Sequence, residues 1–126
     1  MPATAVKLTI RILLLTLLAA LSGTASAAVY GFLEQAPMRY FSAEDNAMMT
    51  ANIDAVLAAP DDNAPRTWRN DKTSNYGSAV ALRTFTHQEI NCRRLRIDNH
   101  AQVGDGRTTA DLCEVEGVWK VLRLPE

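Results

Sequence analysis

Two prolines, Pro60 and Pro65, split the chain into stretches of different hydrophobic period, and this break constrains the fold most. Before it, Met49, Ile53, Val56 and Leu57 recur at i, i+4, i+7 and i+8, the spacing of one helical face. Ser42-Ala43-Glu44-Asp45 offers an N-cap hydroxyl with an acid three positions on, a capping-box start. Pro60 has no N–H to extend a helical ladder, and Asp61-Asp62-Asn63-Ala64-Pro65 is a polar loop. The spacing therefore predicts one helix from Ala43 to Ala58.

Beyond Pro65 the alternation is that of strands. Thr67-Trp68-Arg69 is a short strand closed by Asn70-Asp71, and Thr73 to Gly77 is rich in turn formers. Ser78 to Thr86 carries Val80, Leu82 and Thr84 on one side and Ala81, Arg83 and Phe85 on the other. Glu89 to Asp98 alternates less cleanly, with Ile90 and Cys92 of one parity and Leu95 and Ile97 of the other. Either both faces of that strand are covered, or a bulge shifts its phase near Arg93. Asn99 to Gly106 reads as a loop ending in Gly104-Asp105-Gly106. Arg107 to Val115 and Val118 to Arg123 complete the set, joined around Glu116-Gly117. One N-terminal helix followed by four or five antiparallel strands is an α+β domain, the helix covering the apolar face of the sheet. Trp68 and Trp119 are expected as large fillers between the two layers.

The first 27 residues have the form of a secretory signal. Lys7 and Arg11 supply a positive start, Ile12 to Leu21 an apolar run, and Ala25-Ser26-Ala27 a small-residue cleavage site. A ten-residue run is too short to cross a hydrocarbon core as a helix, which takes about 20. The competing reading is an uncleaved N-terminal anchor. The expected organisation is a signal peptide over 1–27, an extended lead-in over 28–41 and a single domain over 42–126, with no transmembrane span in the mature chain. Tyr30, Phe32 and Leu33 of the lead-in are candidates to pack on the domain. Cleavage after Ala27 removes two of the 13 basic residues and none of the 14 acidic ones, so the mature net charge is −3. The full chain's formal charge of −1 is near neutral and argues against nucleic acid as the main partner, because binding to phosphate backbones needs a basic surplus.

Cys92 and Cys113 both lie in the mature part. An exported small domain with two cysteines is expected to pair them, closing a loop of about 20 residues worth roughly 3 kcal/mol in the chain-entropy model. The alternative is two buried free thiols. A nucleophilic cysteine needs a thiolate with a base in reach, and pairing removes that option. His87 and His100 are placed by the sequence in a break between strands and in a hairpin loop. No H-x-x-x-H, C-x-x-C or clustered carboxylate spacing occurs, so no metal or other cofactor is expected. No G-x-S-x-G nucleophile elbow is present. Glu44-Asp45 and Asp61-Asp62 suit capping and solvation better than acid–base chemistry. The expectation is a protein that is not an enzyme.

The most distinctive charge feature is Arg93-Arg94-Leu95-Arg96. On a strand Arg94 and Arg96 share a face while Arg93 points away, and Arg83 and Arg107 join that face if their strands are neighbours. Two readings stand for Arg94 and Arg96. One is a solvated face on which arginines pair with Asp98, Asp111 or Glu114. The other is an anion-binding face for phosphate-rich headgroups, since guanidinium holds phosphate by bidentate hydrogen bonds.

The order of residues completes the picture. After the helix come Trp68-Arg69-Asn70, Ser74-Asn75-Tyr76-Gly77-Ser78-Ala79-Val80, Arg83-Thr84-Phe85, Cys92-Arg93, Cys113 and Gly117-Val118-Trp119-Lys120-Val121. From Ser42 to Leu122 this resembles the C-terminal domain of the bacterial outer-membrane surface antigens related to the rickettsial 17-kDa antigen. The lipobox cysteine and glycine-zipper segment that accompany that domain in the antigens have no counterpart here, and Asp111-Leu112 and Glu114 flank Cys113 where the pattern has a small-residue turn and an arginine. The resemblance implies a folded envelope domain without the antigens' lipid anchor. The leading expectation is an exported, non-catalytic protein of a Gram-negative-type envelope, in the periplasm or at the outer-membrane periphery. Its partner is an unidentified envelope component, with anionic lipid or lipopolysaccharide as candidates. The alternative is a soluble periplasmic binding or inhibitor module with a pocket between helix and sheet.

Overall fold

A computed structural model describes residues 37–122. The leader, the lead-in aromatics Tyr30, Phe32 and Leu33, and Arg123 lie outside the described residues. A 3-10 turn, Met38–Tyr40, leads into helix α1, Ala43–Ala58. Five strands follow: β1 Arg66–Arg69, β2 Tyr76–His87, β3 Ile90–Ala101, β4 Gly104–Val115 and β5 Val118–Val121. They form one antiparallel sheet in chain order, with β1 and β5 as short edges. The domain is α+β, one helix laid on a five-stranded antiparallel sheet.

The helix begins where the sequence places it. The Ser42 hydroxyl accepts from the Asp45 N–H, and the Asp45 carboxylate accepts in turn from the Ser42 N–H. Met49, Ile53, Val56 and Leu57 are all buried, facing Ala79 and Ala81 of β2, Leu95 and Ile97 of β3, and Leu112 of β4. The two alanines matter because their small side chains let the helix sit low over the centre of the sheet. Trp68 closes the β1 side of the core and meets the Phe41 ring edge-on at 5.3 Å. Gly77, opposite Trp68, has no room for a side chain: a Cβ there would lie 2.6 Å from both the indole Nε1 and the Asp98 carbonyl.

Trp119 departs from the expectation. It is only partly buried and packs at the margin of the core, because the helix ends before reaching its row.

The ambiguous phase of β3 resolves in favour of cover on both faces. Cys92 and Arg93 are neighbours of opposite parity and both are buried. The register shift lies in β2 between Ala81 and Arg83, opposite Leu95 and Arg94, so Leu82 is the extra residue. The β3–β4 loop is tighter than the sequence suggests. Pairing continues to Ala101 opposite Gly104, leaving Gln102 and Val103 as the turn. His100 is consequently a strand residue, and His87 is the last residue of β2.

Cys92 and Cys113 are directly opposed on β3 and β4 and form a disulfide, their Cα atoms 4.0 Å apart. It lies on the face of the sheet away from the helix, where both cysteines are buried. Cys92→Ala is expected to lower the unfolding free energy by about 2–5 kcal/mol, measured as a drop in urea midpoint. Alkylation of the parent should label two cysteines only after reduction; labelling of both without reduction would contradict the bridge.

Candidate functional site

Two buried charges hold the ends of α1. At the N-terminal end, Asp45 lies one turn before Met49 on the same stripe, so the helix turns it inward. Its carboxylate accepts from the Asn70 amide at 2.8 Å, the Asn75 amide at 2.9 Å and the Thr73 hydroxyl at 2.7 Å, besides the Ser42 N–H. These three side chains come from the β1–β2 loop, which Asp45 therefore ties to the helix. Burial pushes the Asp45 carboxyl up, but the hydrogen bonds from Asn75, Ser42, Thr73 and Asn70 together outweigh it and hold it down at about 2.

At the C-terminal end stands Arg93. It has the parity of Leu95 and Ile97, so β3 points it at the helix. One Nη1 reaches the carbonyls of Val56 at 2.7 Å and Ala59 at 2.6 Å; Nη2 reaches the Asp61 carbonyl at 3.0 Å and the Asp62 carboxylate at 2.8 Å; Nε donates to the Thr84 hydroxyl. All five donors are used. The hydrogen bonds from Arg93 and then Thr84 lower the Asp62 carboxyl below its ordinary value. An acid at the helix N-terminus and a cation at its C-terminus also match the helix dipole. Both groups spend their hydrogen bonds inside the fold, which leaves them no capacity for a ligand.

The outer face of the sheet is different. Reading the register row by row, Arg69, Arg83, Arg94, Arg96, Arg107 and Lys120 share it with Asp98, Asp105 and Asp111, six cations against three carboxylates. The rest of the described chain holds four cations and nine carboxylates, so charge is segregated by face. Arg94 and Arg96 are indeed on one face, but they differ. Arg94 is locked to Asp111 by two bonds of 2.7 and 2.9 Å, which hold the Asp111 carboxyl below its usual range. Arg96 is ion-paired with Asp98 at 3.5 Å through Oδ2, while Arg107 holds Oδ1 of the same carboxylate, so two guanidinium groups share one negative charge. Glu114 is not among these partners; it lies on the helix side. Arg83 lies over the Phe85 ring at 4.8 Å, and Lys120 has no ion pair among the described residues. The cations most open to an incoming anion are therefore Arg83 and Lys120, which have no ion pair among the described residues, while Arg96 and Arg107 share one carboxylate and Arg94 is committed to Asp111. Sequence reasoning named Arg94 and Arg96 but missed Lys120, which the register sets beside Cys113 on the outer face.

One further row completes the face. Arg69 lies over Tyr76, Tyr76 stacks on His100 with ring centres 4.5 Å apart, and His100 Nδ1 is 2.8 Å from the Asp105 carboxylate.

On the helix side, an open cleft of about 430 Å³ lies where α1 stops, between Leu57–Pro60 and the ends of β2 to β5. Neither histidine lines it. Among the described residues there is no free cysteine and no group of three or more His, Cys, Asp or Glu that could hold a metal ion. No helix among them is long and apolar enough to cross a membrane. No protein-family model, curated protein or solved structure matches the chain.

Proposed function

We propose that this chain is an exported, non-catalytic protein of the cell envelope that acts by contact, laying the outer face of its sheet against phosphate-bearing headgroups of anionic lipid or lipopolysaccharide. The observation that carries this reading is the charge segregation: a net negative domain concentrates six of its cations on one sheet face. The charged start, short apolar run and Ala25-Ser26-Ala27 site support export, and the resemblance to the surface-antigen domain supports an envelope setting. The internal polar groups support a non-catalytic role, since Asp45 and Arg93 are consumed in holding the helix. A periplasmic binding or inhibitor module is the second reading, and the cleft at the end of α1 is what favours it.

Attraction between an exposed cationic face and a membrane is local and screened within about 8–10 Å at ordinary salt. The mature domain, Ala28 to Glu126, is expected to co-sediment with anionic phospholipid vesicles at low ionic strength and to be released as salt rises. Binding that is equal on zwitterionic vesicles, or absent from anionic ones at low salt, would contradict the reading. Intact mass of the protein from an envelope fraction tests export separately. A species starting at Ala28 is expected, and one retaining Met1 to Ala27 would make the segment an anchor.

A further inference from the structure

The cleft beside α1 has a floor that the register defines. Thr86, Asn91, Glu114 and Trp119 form one cross-strand row over β2 to β5 on the helix side, one row beyond Thr84, Arg93 and Leu112. Because α1 ends at Ala58 and Pro60 turns the chain away, nothing from the helix covers this outer row. Three of its side chains, Asn91, Glu114 and Trp119, line the cleft, with Leu57 and Pro60 as an apolar wall.

The chemistry of the cleft selects the sign of a ligand. Arg93 forms the back wall, but its five N–H groups are all bonded to the chain, so it offers nothing to an anion. The Glu114 side chain is exposed and makes no ion pair or hydrogen bond with a described residue. It stands directly opposite Trp119 on the neighbouring strand, where cross-strand side chains are about 5 Å apart. A carboxylate beside an indole is a pairing that favours a cation, by charge-assisted hydrogen bonding on one side and cation–π attraction on the other. Asn91, which precedes Cys92 as Glu114 follows its partner Cys113, lines the same cleft and adds an amide oxygen as a further acceptor. Glu116, in the turn joining β4 to β5, adds negative charge at this end of the sheet.

Openness decides between sources of that cation. A small-molecule site encloses most of its ligand's surface, whereas this cleft is open along one side with Glu114 facing solvent. Such a shape suits a side chain presented by another polypeptide, its aliphatic stem against Leu57 and Pro60 and its head between Glu114 and Trp119. We propose that the cleft is a docking site for an arginine or lysine side chain of a partner polypeptide. The site is separate from the cationic outer face, on the opposite side of the sheet and of opposite charge, so either reading stands or falls without the other.

The test is nuclear magnetic resonance titration of the full mature protein with an acetylated, amidated Ala-Arg-Ala peptide. The Trp119 indole N–H and the Asn91 side-chain amide are expected to shift saturably while the buried Trp68 indole stays in place. The same peptide with citrulline, which keeps the shape and removes the charge, should bind at least tenfold more weakly. Glu114→Gln should lose at least tenfold for the arginine peptide with its melting temperature unchanged, and Trp119→Leu should weaken binding as well. Equal affinity for the citrulline peptide, an unaffected Glu114→Gln variant, or no shift at Trp119 would overturn the proposal. Free agmatine, a small guanidinium, separates the sources: much weaker binding than the peptide supports a polypeptide partner, and equal binding overturns that assignment.

Discussion

Arg93→Met is expected to lower the unfolding free energy by about 3–5 kcal/mol, the range for removing one partner from a buried charged network. Methionine keeps most of the aliphatic bulk, so the loss reads hydrogen bonds and not packing. The carbonyls of Val56, Ala59 and Asp61 then lose their donor, and the Asp62 carboxylate loses the cation that lowers it. Buried acceptors without partners cost about 1–3 kcal/mol each before relaxation, and the last turn of α1 has solvent on one side to offset part of that. Arg93→Lys should recover only a fraction, because an ammonium on a single stem cannot serve carbonyls spread from Val56 to Asp61. Urea denaturation checks the size, and hydrogen exchange checks the place. Amides of the last turn of α1 should open first. A variant within about 0.5 kcal/mol of the parent would mean that Arg93 is a surface arginine in all but position.

Asp45→Ala should cost a comparable amount, about 3–5 kcal/mol, for the complementary reason. It removes the capping box and leaves the Asn70 and Asn75 amides buried without an acceptor. The same carboxylate gives the fold an acid dependence of known sign. Its folded value of about 2 lies below the ordinary 3.8, so its stabilisation is present above about pH 4. That contribution, about 2 kcal/mol, is lost as pH falls from 4 through 2. Asp62 and Asp111 are lowered as well and act in the same direction. Asp45→Asn should flatten the stability profile over that interval compared with the parent. A parent whose urea midpoint is the same at pH 5 and pH 2.5, within a window of about 0.5 kcal/mol, would contradict the linkage.

Much of this architecture is legible in the sequence, and particular residues show where legibility ends. The helix from Ala43 to Ala58 is read from Met49, Ile53, Val56 and Leu57 together with its cap, because local spacing and local capping specify the same element. Periodicity also held the signal for the two buried charges. Asp45 is four residues before Met49, and Arg93 two before Leu95, so each continues an apolar stripe toward the interior. What periodicity does not contain is the partner: Asn70, Thr73 and Asn75 for one, the carbonyl end of α1 for the other, both set by tertiary packing. The β3–β4 turn was hidden because Asn99 to Ala101 carry no alternation to mark them as strand, although Asn99 is buried against Met49. The cleft was illegible for a related reason. That Asn91, Glu114 and Trp119 fall in one row depends on register and on where α1 stops, neither of which the residues themselves display.

On the outer face the sequence offers Arg83, Arg94, Arg96 and Arg107 but not how each is paired. Asp111 occupies Arg94, and Arg96 and Arg107 share the single Asp98 carboxylate, which leaves a net positive charge on that pair of strands. The central claim, that this face and not overall charge carries the protein to an anionic surface, is tested most directly by moving the same deletion to two places. Arg83→Gln with Arg96→Gln removes two cations from the face. Arg39→Gln with Arg66→Gln removes two exposed cations from elsewhere. At about 1 kcal/mol for each basic residue near the surface, the first pair should weaken anionic-vesicle binding by about 30-fold at low salt, and the second should leave it within a few-fold of the parent. Equal losses in the two pairs, or no loss in the first, would contradict the claim.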